Sequence, residues 1–151
     1  VKYGPRRAPA PHSSLLEALD LAAPSASSAD PADPAGLAGL LERTGDGSAA
    51  LVVPPTQLYK NGGGTVHGGV LFCLTELAVH ALADPAVPEE TISVRMNYLR
   101  PALLEHPVTY TAETVYRGRA VAVHRVTSSG PAGKPYTVAT ITRSRRPRTS
   151  S

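Results

Sequence analysis

The chain holds one cysteine, Cys73, one phenylalanine, Phe72, one methionine and no tryptophan among its 151 residues. With a single thiol an intramolecular disulfide is impossible, and zinc sites built on several cysteines are excluded. A reduced, cytoplasmic setting is the expectation. No window approaches the ~20 consecutive apolar residues that a membrane-spanning helix requires. The basic residues near the start (Lys2, Arg6, Arg7) are followed by no apolar run, so neither a signal peptide nor a membrane partner is expected. The body also lacks an excess of either charge. Residues 36–142 carry eight Lys/Arg against eight Asp/Glu, and the net charge of +3 comes largely from the two ends. The seven aromatic residues are not interleaved with the arginines, unlike the basic and aromatic surfaces that bind nucleic acids, and no nucleic-acid partner is expected. The run "RSRRPR" at 143–148 reads as a solvated end, with 144–151 a basic C-terminal tail.

What is present is an ordinary globular composition, 42% apolar and 18% charged, long enough for one domain with its own core. Residues 1–35 are set apart by Pro, Ala and Ser, as in "APSASSADPADPAG", a composition that disfavours packing. Within this N-terminal extension, 13–22 has the cap and leucine stripe of a short helix. "PAGLAGLLERTG" (34–45) reads as another, stopped by Gly45. "SAALVVPP" then reads as a strand ended by Pro54, and 69–83 as a longer helix. In "TISVRMNYL", Ile92, Val94, Met96 and Tyr98 alternate onto one face. Strands at 108–116, 119–128 and 135–143 follow, separated by short turns. A strand, a long helix and four consecutive strands over 36–143 predict an α+β fold, with one helix packed on an antiparallel sheet.

On a helical wheel, Val70, Leu71, Leu74, Leu77, Ala78, Ala81 and Leu82 form one broad stripe. Glu76 lies opposite, yet it shares that far side with Phe72 and Val79, with Cys73 and His80 close by. Phe72, Glu76 and His80 stand in one column, four residues apart. A solvated acid paired with His80 is one reading. A helix apolar nearly all round is the other, with its far face covered by a second subunit and Glu76 retained for chemistry. Gly62, Gly63 and Gly64 make a flexible loop before it. Gly68 and Gly69 stand where the helix begins, so their N–H groups are unpaired and lie at the positive end of its dipole. Such donors can hold a carbonyl oxygen that becomes negative during acyl transfer. His67 could be a base, a ligand or a structural hydrogen-bonder, the last being the commoner role of a lone histidine at a helix start, and Cys73 fits a small buried hydrophobe. His67, Glu76 and His80 do not have the spacing of an HExxH zinc site, so no metal is expected. No Gly-Lys-Ser/Thr follows the glycines and no Gly-x-Ser-x-Gly occurs, which removes a phosphate loop and a serine-hydrolase elbow.

The stretch "NGGGTVHGGVLFCLTE" (61–76) resembles the hotdog-fold acyl-CoA thioesterases, in the branch of the phenylacetate-pathway (PaaI-like) and 4-hydroxybenzoyl-CoA thioesterases. That family has Asn or Gln six residues before the histidine of His-Gly-Gly and an acid nine residues after it. Asn61 and Glu76 occupy those places around His67. "NYLRPA" (97–102) and "YRGRAVAV" (116–123) are similar to two further family motifs. The resemblance implies a sheet wrapped around one long central helix, and a homodimer or homotetramer with its active site at the subunit interface. It implies hydrolysis of a small or aromatic acyl-CoA, with no cofactor beyond the coenzyme A of the substrate. The N–H of Gly68, with Gly69, would polarise the thioester carbonyl. Glu76 would act as general base or nucleophile, Asn61 would position water or the carbonyl, and His67 would orient the loop. Phe72 and His80 would border the acyl group, and Arg100 and Arg119 would meet the CoA phosphates. A glutamate where many PaaI-like members have aspartate, and His80 where a small residue is usual, bear on the substrate rather than on the reaction. The alternatives are a non-catalytic acyl-CoA-binding domain, a thioesterase of carrier-protein-bound acyl groups, and a hotdog hydratase, whose Asp/His motif is not found.

Overall fold

A computed structural model of the protein describes residues 40–146. The helix expected at 13–22 lies outside the described residues. Asp46 and Gly47 form a two-residue hairpin loop, with Gly47 at φ 78°, where a side chain would be strained. The loop joins β1 (Leu41–Gly45) to β2 (Ser48–Val53), which pair from Leu41↔Leu51 onward. The helix expected over 34–45 is thereby corrected for its last five residues. Ladder pairing with β2 overrides the local helical pattern, and Asp-Gly before a β-rich run is the hairpin signal that could have revealed it.

After α1 (Gly68–His80) come β3 (Glu89–Tyr98), β4 (Val108–Arg117), β5 (Val121–Ser129) and β6 (Pro135–Arg145). All pairings are antiparallel, in the order β1-β2-β4-β5-β6-β3. The expected α+β layout is therefore the observed one: a six-stranded sheet with one helix across β2, β4, β5 and β6. Alternate residues of the strands face that helix. Leu51, Tyr110, Val126 and Ile141 are buried against Val70, Leu71, Leu74 and Ala78. Val79, expected on the far side, is fully buried, as is Thr75, whose hydroxyl caps the Leu71 carbonyl at 2.8 Å. The sheet covers more of the helix than the stripe alone predicts, which leaves Phe72, Cys73 and His80 as its exposed side. No helix among the described residues is long and apolar enough to cross a membrane.

Two further departures matter for the site. First, the register of β3 on β6 shifts between Thr91 and Ser93, a bulge that breaks the simple alternation. Thr91, Val94, Met96 and Tyr98 pair with Arg143, Ile141, Ala139 and Thr137, all on the helix-facing side, whereas Ile92 is 60% exposed. Second, β6 continues through Ser144 and Arg145, so the start of "RSRRPR" is strand and not tail. Arg143 is buried and Arg145 half-buried because both meet Glu89, whose side chain is 1% exposed. Glu89 takes Arg145 at 2.9 Å, Arg117 at 3.1 Å and Arg143 at 3.8 Å.

Candidate active site

The glycine loop is built around Asn61. Its side-chain oxygen accepts the N–H groups of Gly63 at 2.9 Å and Thr65 at 3.0 Å, and its amide donates to the Thr65 hydroxyl at 2.9 Å. Asn61 thus closes its own loop. Gly64, at φ 80°, completes the turn. The loop is tied to the segment after β3 by the Thr65↔Leu103 bridge and by the Val66 N–H to the Ala102 carbonyl at 2.9 Å.

His67 caps α1. Its backbone is extended (φ −63°, ψ 132°), and its Nδ1 accepts the Gly69 N–H at 3.0 Å. An accepting Nδ1 assigns the neutral ring with its proton on Nε2. The bond ties the His67 ring to the start of the helix and turns the Gly69 N–H into that ring, so of the two N–H groups expected to be unpaired this one is engaged. Among the described residues no acceptor takes the Gly68 N–H, which is left at the first position of the helix, at the positive end of its dipole. Both glycines stand close to a neighbouring side chain, which would have to give slightly for a Cβ. A Cβ on Gly69 would lie 3.1 Å from His67 Nδ1, and one on Gly68 would lie 3.3 Å from the Tyr98 ring. Tyr98 fixes this end of the helix by donating its hydroxyl to the Gly68 carbonyl at 2.9 Å. A hollow of about 370 Å³ opens here, lined by Asn61, Gly68, Leu71, Tyr98 and Arg100.

Glu76 is half-buried two turns further along. Its Oε2 accepts the Thr91 hydroxyl at 2.9 Å, and its Oε1 is buried without a hydrogen-bond partner. The hydrogen bond runs to β3 and not to His80, which is exposed on the last turn. Thr91 in turn accepts the Arg143 Nε–H at 3.3 Å. One hydroxyl proton is therefore aimed at Glu76 by a guanidinium behind it, and such a chain polarises its members in the same sense. Thr91, Tyr98 and Arg143 were not legible as site residues. The bulge that turns Thr91 inward has no local sequence signal, and Arg143 stood at the end of an expected strand, at the start of a basic run that reads as solvated. Among the remaining expected residues, Phe72 is 38% exposed on the same helical side as Glu76. Arg100 lines the Gly68 hollow, whereas Arg119 lies exposed in the β4–β5 turn, where the neighbouring Arg117 bonds to the Leu82 carbonyl just past the other end of the helix.

An unpaired backbone donor at a helix start and an oriented carboxylate on the same helix are the elements of acyl transfer without a serine or cysteine nucleophile. Residues 56–144 match the family described as the acyl-CoA thioesterase N-terminal domain. The chain belongs to that family: it is an acyl-CoA thioesterase of the hotdog fold, similar to the PaaI-like members. A hypothetical thioesterase from Streptococcus pneumoniae, solved with coenzyme A, is 27% identical, aligns over 73% of this chain and 90% of its own, and superposes with a TM-score of 0.63. A mutant of the phenylacetic acid degradation protein PaaI from Thermus thermophilus is also 27% identical, over 70% of this chain and 91% of its own, with a TM-score of 0.65. A thioesterase from Haemophilus influenzae, at 22% identity over 76% and 83% of the two chains and a TM-score of 0.65, shares the fold. No curated protein matches the chain.

Proposed function

We propose that the protein hydrolyses a small or aromatic acyl-CoA to the free acid and coenzyme A, with Glu76 as the acid–base group and the Gly68 N–H as the oxyanion donor. The observation that carries this reading is the Glu76 carboxylate, oriented through one oxygen by Thr91 while the other is buried and unpartnered. As general base, that oxygen takes a proton from water as the water oxygen bonds to the thioester carbon. The carbonyl oxygen gains the negative charge and accepts the Gly68 N–H. Collapse of the intermediate breaks the C–S bond and expels the CoA thiolate, which takes up a proton. As nucleophile, Glu76 instead forms a mixed anhydride with loss of the thiolate, and water then cleaves the anhydride.

The two groups come from different chains in this reading. Eight residues of helix separate Gly68 from Glu76 by about 12 Å. Their anchors on β3, Tyr98 and Thr91, lie about 20 Å apart along the strand. Each anchor holds its partner at its own end. A two-fold pairing of antiparallel helices would set Gly68 of one copy beside Glu76 of the other, and would cover Phe72 and Tyr98, which are exposed here. A cytoplasmic homodimer, or a tetramer of such dimers, is the proposed assembly, and Phe72 and His80 would border the acyl group.

The test is free-thiol release from a panel of aliphatic and aromatic acyl-CoAs by the native protein and by Glu76→Gln. Turnover that collapses in the variant supports the assignment. Equal turnover by the two proteins would overturn the role given to Glu76.

A further inference from the structure

The loop that carries Gly68 runs antiparallel to the segment leaving β3. Thr65 pairs with Leu103, and the Val66 N–H donates to the Ala102 carbonyl at 2.9 Å. The His67 N–H points the other way, to the Tyr59 carbonyl at 2.7 Å. Successive N–H groups of an extended chain alternate in direction, so the Gly68 N–H turns back toward residues 98–102. Those residues and Gly68 line the hollow of about 370 Å³.

Continued in the same register, the pairing would set Gly68 opposite Arg100, each donating its N–H to the carbonyl of the other. That pair is not made. The Arg100 N–H goes instead to the Tyr136 carbonyl at 3.2 Å, and the Gly68 carbonyl accepts the Tyr98 hydroxyl at 2.9 Å. A ladder bond would have held Gly68 and consumed its N–H. The tyrosine holds the same residue by its carbonyl and leaves the N–H free.

We infer that Tyr98 is a positioning residue for the oxyanion donor, which rests on the role proposed for the Gly68 N–H. The peptide between Gly68 and Gly69 is gripped at both its polar groups. Its carbonyl accepts Tyr98, and its N–H donates to His67 Nδ1 at 3.0 Å. Two successive glycines have no side chains to restrict their backbone, so this grip takes over that task. A donor contributes most when its direction is set before the charge develops. Tyr98 is itself fixed by the sheet, as it pairs with Thr137 while the next N–H, of Leu99, reaches the Tyr136 carbonyl at 2.8 Å. Its side chain is 54% exposed, so the hydroxyl bond, and not burial in the core, is its contribution here.

Tyr98→Phe keeps the ring beside Gly68 and removes only the hydroxyl. Its kcat should fall about two- to tenfold, the range of one neutral hydrogen bond. KM for an acyl-CoA and the thermal midpoint should stay near native. In the nitrogen-15 spectrum of glycine-labelled protein, the Gly68 and Gly69 amides should shift and exchange faster with solvent, while Gly45, Gly47 and Gly118 stay in place. An unchanged kcat, a rise in KM alone, or unmoved Gly68 and Gly69 amides would each overturn the positioning role. So would a lowered thermal midpoint with shifts at all these glycines, the mark of a merely structural tyrosine. Gly68→Pro distinguishes the two roles. If the proline variant loses kcat and Tyr98→Phe does not, the donor stands and the positioning role falls. If the proline variant keeps native kcat, both fall.

Discussion

Thr91, on the bulged edge strand, donates its hydroxyl proton to Glu76 at 2.9 Å, fifteen residues earlier in the chain, while accepting the Arg143 guanidinium at 3.3 Å. The carboxylate is thus oriented from the sheet and not from its own helix. Thr91→Val keeps the shape and removes that proton. A hydrogen bond to a charged group contributes about 1.5–3 kcal/mol, so kcat should fall by about tenfold or more with KM changed little. Steady-state kinetics on one acyl-CoA checks this, and an unchanged kcat would refute the orienting role.

Gly68 stands at the first helical position, which tolerates proline, and the extended backbone of His67 suits a residue preceding one. Gly68→Pro therefore deletes the proposed oxyanion donor with little cost to the helix. Gly68→Ala adds the same Cβ near Tyr98 while keeping the N–H. The proline variant should lose about 10²–10³-fold in kcat, and the alanine variant far less. Similar losses in both would mean that crowding of Tyr98, and not the donor, is responsible.

A mixed dimer tells which chains make one site. One copy carries Gly68→Pro and the other Glu76→Gln. If Gly68 and Glu76 act across the interface, one of the two sites regains both native groups, and purified heterodimer should recover about half the native activity. If both act within one chain, every site keeps a defect and the heterodimer is as inactive as its parents.

Glu89 is buried among Arg117, Arg143 and Arg145. Removing one partner of a buried ionic cluster costs about 3–5 kcal/mol, because the others are left uncompensated. Glu89→Gln should lower the urea midpoint accordingly. It should also slow hydrolysis, because Arg143 links Glu89 to Thr91 and so to Glu76.

His124, fully buried on β5, bonds to the Thr114 hydroxyl through Nδ1 at 3.2 Å. Burial lowers its pKa from 6.5 to about 4; Arg117, Arg143 and Arg145 act in the same direction, and Glu89 opposes them. The unfolded chain therefore binds a proton below pH 6.5 that the folded chain refuses until about pH 4. Stability from this group is intact above pH 6.5 and is lost as pH falls between those values, with a slope of up to about 1.4 kcal/mol per pH unit. Urea midpoints across that window should show the slope, and His124→Gln should flatten it.

The central helix, its acid and the glycine loop before it were legible because their signals are local: apolar residues recurring at helical spacing, and a histidine followed by two glycines at the helix start. The strands of 108–116 and 135–143 were legible for the same reason. Fold and reaction class came from the resemblance that these local motifs carry. The sequence by itself thus determined the helix, most of the strands and the place of Glu76 on that helix. Other features depended on partners far away in the chain. Leu41–Gly45 became strand only because β2 lay beside it. Thr91 turned toward Glu76 through a bulge against β6, and Arg143, 52 residues further on, was drawn inward by Glu89 and Thr91. No periodicity in a single segment encodes such pairings. Register, bulge and buried charge are settled when strands meet, and the tertiary structure alone decided how Glu76 is held and which backbone donor stays free.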